Sequence, residues 1–188
     1  MSIFDKLKQE AVSAASKKLQ SLGNQKETFS FSALPESLTE MQALPEAALD
    51  TPFQTAALTV CALCAYAAEP EIGVEMLNWL RGPRPLGGHE LSFLKDRFQD
   101  EKYYIPFSYF KGAVPENNYT PDEPFTLTFY TNPYSDDNEG YMKLFVDSGG
   151  ADNARSIVLR QRGDGKWFLW EQYLLPDIRK PKSDDPWA

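Results

Sequence analysis

The chain has 188 residues, of which 42% are hydrophobic and 13% aromatic, enough to fill one core and to exclude a chain that is disordered throughout. Its formal net charge of -8 opposes unaided approach to duplex nucleic acid or anionic lipid, so no duplex nucleic-acid partner is expected. The longest apolar run, Ala56 to Ala68, falls short of the roughly 20 residues of a membrane-spanning helix, and no transmembrane segment is expected.

The first residues carry no apolar stretch followed by a small-residue cleavage site, which predicts a cytoplasmic protein. Ile3, Phe4, Leu7, Ala11, Leu19 and Leu22 recur at helical spacing, with Lys6, Lys8, Lys17 and Lys18 on the flanks. This pattern predicts an amphipathic helical appendage over residues 1–24, stopped by Gly23-Asn24. Its alanine-rich stripe favours a helix that packs on its own domain or frays, over one that meets a membrane surface or a partner through residues 1–22.

A single α+β domain is expected over residues 25–176. Thr28 to Ala33 alternates as a strand, and a short helix around Leu38, Met41 and Leu44 follows between two prolines. Thr51-Pro52 starts a helix that is apolar nearly all round and reads as the central buried element, about Pro52 to Ala68. Cys61 and Cys64 lie two turns into it, away from the helix N-terminus where a redox thiolate would be stabilised, and are expected as reduced core thiols. The next helix presents Ile72, Met76, Trp79 and Leu80 on one face and ends at Gly82-Pro83. After the Gly82 to Gly88 turn comes a last helix, about His89 to Gln99, then an aromatic, extended Tyr103 to Phe110.

The second half reads as four strands: Phe125 to Thr131, Tyr141 to Asp147, Arg155 to Arg162 and Lys166 to Gln172. Short connections make an antiparallel meander, with the helical first half packed on one face. Asp164-Gly165 suits a two-residue hairpin turn that pairs Arg162 with Trp167, Arg160 with Leu169 and Leu159 with Trp170. In that register Ile157, Leu159, Phe168 and Trp170 face the core. Arg160, Arg162, Trp167, Lys143 and Tyr141 share the outer face with Phe145, Tyr130, Thr126 and Thr128. Residues 177–188 form an extended C-terminal tail.

That outer cluster is the main site candidate, because local geometry forces guanidinium, ammonium and aromatic groups together. Arg162 opposite Trp167 would form a cation–π pair suited to a protein or a small polar ligand. His89, the only histidine, is a weak catalytic candidate at a helix N-terminus behind a flexible loop. One histidine cannot build a multi-histidine metal site, and Ser135 to Gly140 lacks the spacing of a twelve-residue calcium loop, so neither metal nor cofactor is expected. The leading expectation is a non-enzymatic binding domain, with a small hydrolase cleft near Gly82 to His89 as the alternative.

Several phrases together resemble a bacterial domain family of unknown function: Ala33-Leu34-Pro35-Glu36-Ser37, Asp50-Thr51-Pro52-Phe53, Arg81-Gly82-Pro83-Arg84-Pro85-Leu86, Ser148-Gly149-Gly150-Ala151-Asp152, and Gly165-Lys166-Trp167-Phe168-Leu169-Trp170-Glu171 running to Leu175-Pro176-Asp177-Ile178-Arg179. The resemblance covers about Phe29 to Ala188 and implies no reaction, ligand or catalytic residue. The closing Gly-Lys-Trp hairpin is also similar to the last hairpin of cone-shaped domains of the nuclear-transport-factor type, a minor alternative fold.

Overall fold

Thr51 caps the central helix by accepting the Gln54 amide at 3.2 Å, while the Gln54 side chain accepts the amides of Asp50 and Thr51 in return. With Pro52 at the first helical position, this reciprocal cap lets an alanine-rich, almost uncharged segment begin cleanly. In the computed structural model, which describes residue 3, residues 5–9 and residues 25–188, this helix runs Pro52–Ala68. Fourteen of its seventeen residues are buried, so it is wrapped by other elements on nearly all sides.

In chain order the elements are β1 (Lys26–Phe31), α1 (Leu38–Gln42), α2 (Pro52–Ala68), α3 (Pro70–Arg81), α4 (Gly88–Arg97), β2 (Phe125–Tyr130), β3 (Tyr141–Val146), β4 (Arg155–Gln161) and β5 (Trp167–Gln172). The fold is α+β, as the alternation in the second half predicts. The sheet has five antiparallel strands in the order β1 to β5 rather than four, because β1 adds to the outer edge of β2. No short turn joins those two strands, so their pairing is invisible to local pattern. Two side-chain rungs support it, Thr28 with Thr128 at 2.8 Å and Ser30 with Thr126 at 3.0 Å.

Helix α2 lies across the inner face of β2 to β5, and α3 packs beside α2 and against β5. Phe129, Leu127, Leu144, Ile157 and Leu159 meet Leu58, Leu63, Met76 and Leu80 in one continuous core. The Tyr103 to Phe110 segment is not extended; it forms two short 3-10 turns, Lys102–Tyr104 and Pro106–Tyr109, packed against α2. Pro106, at the first position of the second turn, has no amide to lose there.

Residues 5–9 are helical, with Leu7 exposed. The rest of the helix expected over residues 1–24 lies outside the described residues. At the other terminus the chain is not an extended tail but docks as far as Ser183: Ile178 and Pro181 are buried, the Arg179 amide donates to Gly150 O at 2.9 Å, and the Tyr119 hydroxyl donates to Arg179 O at 2.5 Å. Ser183, in a short 3-10 turn over Lys182–Asp184, donates to Asn118 Oδ1 at 2.8 Å. Trp187 beyond it is 93% exposed. Among the described residues no helix is long and apolar enough to cross a membrane.

The final hairpin departs from the expected register by one residue. The Arg162 amide donates to Lys166 O at 2.8 Å and the Gly165 amide to Arg162 O at 2.9 Å, which closes a three-residue loop, Gly163 to Gly165. Gly165 sits at φ 85°, where a type I turn ends in a left-handed residue that glycine alone adopts without strain. The pairs are therefore Gln161 with Trp167, Arg160 with Phe168 and Leu159 with Leu169. A bulge follows: Val158 pairs with Glu171 and Ile157 with Gln172, leaving Trp170 as the extra residue.

Candidate functional site

The shifted register exchanges the faces of Trp167, Phe168 and Trp170. Leu169, not Phe168 or Trp170, is the buried partner of Leu159. Trp167 stands on the helix-packed side opposite Gln161, separated from the arginines it was expected to join. Its amide donates to Leu49 O at 2.9 Å and its carbonyl accepts the Thr55 hydroxyl at 2.8 Å, so this edge strand is tied down by α2 and the turn before it.

On the outer face the structure brings Arg160 and Tyr141 together as predicted, but with Trp170 and Phe168 as their aromatic companions. The Arg160 guanidinium lies 4.8 Å from the Trp170 ring centre and 5.2 Å from that of Tyr141, and the two rings meet edge-on at 5.5 Å. Arg162 lies 4.5 Å over Phe168. It also donates to Asp164 from Nε at 3.0 Å and from a terminal nitrogen at 2.5 Å. That hydrogen bond, with a second from the Lys166 amide, holds the Asp164 carboxyl down to about 2. Lys143 is exposed one rung away, 5.7 Å over Phe145, and does not line the cavity described below.

A residue from the helical half completes the cluster. Arg84 lies 4.1 Å over Trp170, so one indole carries two guanidinium groups. Its place is set by the turn after α3. Gly82 has φ 59°, and a Cβ built on it would stand 2.6 Å from the Phe168 ring; only glycine allows the chain to pass this close to β5. Arg81, buried beneath the turn, donates from Nε to Arg84 O at 2.9 Å and from Nη1 to Trp170 O at 3.3 Å. Burial, and then Arg84 beside it, lower its affinity for the proton, partly offset by Glu90 at 3.4 Å. Glu90 also accepts the Gly87 amide at 3.0 Å, which starts α4 and ties it to this corner.

Two cavities flank Arg84 and Trp170. One of about 460 Å³ lies between the Gly82 turn and the hairpin and is lined by Arg81, Arg84, Arg160, Arg162, Phe168 and Trp170 among others. None of its lining residues is acidic. The other, about 440 Å³, has an apolar floor including Leu63 and Phe93 and a rim that includes His89, Glu90, Glu171 and Tyr173. The exposed side chain of His89 makes no hydrogen bond or ion pair with any described residue, so no such partner orients its ring. Cys61 and Cys64 are buried in α2, and burial raises both thiols, which opposes the thiolate a redox pair needs. Among the described residues no three of histidine, cysteine, aspartate and glutamate converge to hold a metal ion.

A family profile described as a domain of unknown function, DUF6935, matches residues 33–182. The chain belongs to the DUF6935 family. No curated protein and no solved structure matches it significantly. The DUF6935 span takes in α1 through β5 and every residue of the arginine cluster, while β1 precedes it.

Arg84, Phe168 and Trp170 escaped sequence reasoning. Arg84 lay in a segment rich in proline and glycine that reads only as a turn. The signal for the other two was present in Gly163-Asp164-Gly165, which suits a three-residue loop with glycine last as well as it suits a two-residue one.

Proposed function

We propose that this DUF6935 protein is a non-enzymatic, cytoplasmic binding domain whose contact surface is the outer sheet face at the β4–β5 hairpin. The observation that carries this reading is the cavity lined by four arginines and no acidic residue on a chain whose net charge is -8. A chain that is acidic overall gains nothing in solubility from gathering its cations. Held on aromatic rings, they form a local positive field that attracts and orients an anionic partner. The test is crosslinking followed by affinity capture in the native host, with the wild-type chain and an Arg84→Ala/Arg160→Ala/Arg162→Ala variant run side by side. Partners lost only from the variant support the surface; recovery that is indifferent to the variant removes it.

The cavity at His89 favours a second reading, a small hydrolase-type site at the α4 N-terminus. The lack of any group that orients the imidazole argues against it. If a hydrolytic activity is found, its survival in His89→Ala eliminates this reading.

A further inference from the structure

We infer that the ligand of this surface is a small phosphoryl-bearing molecule, gripped by the guanidinium edges of Arg84 and Arg160 in the cavity between the Gly82 turn and the hairpin. The inference rests on the binding reading above and narrows it to a chemical class.

The aromatic rings cannot themselves be the ligand platform. Trp170 already carries Arg84 at 4.1 Å and Arg160 at 4.8 Å with Tyr141 against its edge, and Phe168 carries Arg162. A nucleobase or sugar ring would have to displace a guanidinium to stack there. The rings instead hold the cations in place by cation–π attraction, which uses none of the guanidinium N–H groups as hydrogen-bond donors to a protein acceptor.

Those donors have no hydrogen-bond acceptor among the described residues. Neither Arg84 nor Arg160 donates a side-chain hydrogen bond to any described residue; Arg84 has only a long ion pair with Glu90, at 3.8 Å and beyond hydrogen-bond reach, and Glu90 is shared with Arg81. Arg162 differs, since Asp164 takes its Nε and one terminal nitrogen, so it contributes mainly field. Arg84 and Arg160 also share one ring. Their guanidinium carbons lie 4.1 and 4.8 Å from the centre of one indole, so no more than about 9 Å separates them. Arg84 is further fixed through its carbonyl by buried Arg81.

One bidentate guanidinium engages both oxygens of a carboxylate, so two such cations favour a group with a further oxygen for the second. A phosphoryl group offers three, enough to accept from both forks at once. The volume, about 460 Å³, lies in the range of small-molecule sites. An extended acidic polymer would meet the net negative surface beyond the cavity, so a compact anion is favoured over a polyanionic chain.

The test is titration of the full chain at low ionic strength with sodium pyrophosphate, with citrate and a glutamate-rich peptide as parallel probes, read by tryptophan fluorescence and calorimetry. Pyrophosphate should bind saturably, and Arg84→Ala and Arg160→Ala should each weaken it by about tenfold or more. Arg160→Lys, which keeps the charge and loses the fork, should weaken it as well. Arg179→Ala, at an exposed arginine that pairs with Asp152 instead, should leave it unchanged. No saturable pyrophosphate binding, binding indifferent to Arg84→Ala/Arg160→Ala, or citrate binding equally well would each overturn the phosphoryl assignment. Peptide binding that this double variant abolishes, without pyrophosphate binding, overturns the assignment but leaves the contact surface standing. If no probe binds, the assignment falls and the crosslinking comparison decides the surface separately.

Discussion

Replacing Gly82 by alanine should damage fold and site together, because this residue lets the turn after α3 reach over β5. Its φ of 59° with ψ of -119° is a region that an L side chain enters at a cost of about 1–3 kcal/mol. The new Cβ would also stand 2.6 Å from Cδ1 and 2.8 Å from Cε1 of Phe168, inside any real contact distance. Overpacking of that kind costs about 1–3 kcal/mol more, and the two terms overlap because one backbone shift relieves part of both. A total of about 2–4 kcal/mol is therefore expected, a large fraction of the roughly 5–15 kcal/mol that holds a domain together. Urea unfolding followed by tryptophan fluorescence gives the value. Gly88→Ala is the internal control, since nothing lies within 4 Å of its Cβ position and its φ is not positive. Adding Phe168→Leu to Gly82→Ala should recover the steric part and not the backbone part. Equal stability of Gly82→Ala and Gly88→Ala would refute the close approach, and with it the account of how Arg84 comes to lie over Trp170.

Thr55→Val removes the hydroxyl that donates to Trp167 O and leaves that carbonyl without its partner, so a loss of about 1–3 kcal/mol is expected in urea midpoints; an unchanged midpoint would show that water replaces the bond freely. Cys61 and Cys64 should react with a disulfide reagent only as fast as the domain opens, and labelling within seconds in native buffer would contradict their place in the core. Asp164, whose carboxyl is held at about 2 in the fold against an ordinary 3.8, stabilises the hairpin fully above the ordinary value, and that contribution is lost as pH falls through about 2. A carboxyl NMR titration should show the low midpoint, and Arg162→Ala should return it toward 3.8; an ordinary midpoint in the wild type would dissolve the Arg162–Asp164 contact.

What the sequence made legible follows from how local each cause is. The start of α2 is legible because Thr51 and Pro52 are adjacent, and its all-round apolarity implies burial. Strands β2 to β5 were legible from alternation and short turns. The partner of β1 was not, since Phe29 meets Leu127 across about half of the chain and no residue near either strand encodes the other. The outward arginines were predicted correctly because their faces follow from β4 alone. Trp167, Phe168 and Trp170 were misassigned because their faces depend on loop length and on a bulge, both of which leave the composition unchanged.

The bulge matters to the site more than its single residue suggests. Beyond Trp170, Glu171 pairs with Val158 and Gln172 with Ile157, the register a two-residue turn would have set; only Trp167 to Leu169 are displaced by one. The extra turn residue and the bulge therefore cancel along the strand, and the inner face keeps its packing at both ends. Within the displaced segment the core opposite Leu159 receives a leucine instead of an indole, which fits the tight contact with α2 and leaves the bulkier, partly polar ring outside. That ring then stands where Arg160 on β4 and Arg84 on the Gly82 turn both reach it. A hairpin without the offset would place Trp170 in the core and leave the two guanidinium groups with no common surface to orient them. The cation cluster is thus a consequence of how the last hairpin accommodates its large side chains: with the indole outside, arginines at two positions reach the same ring.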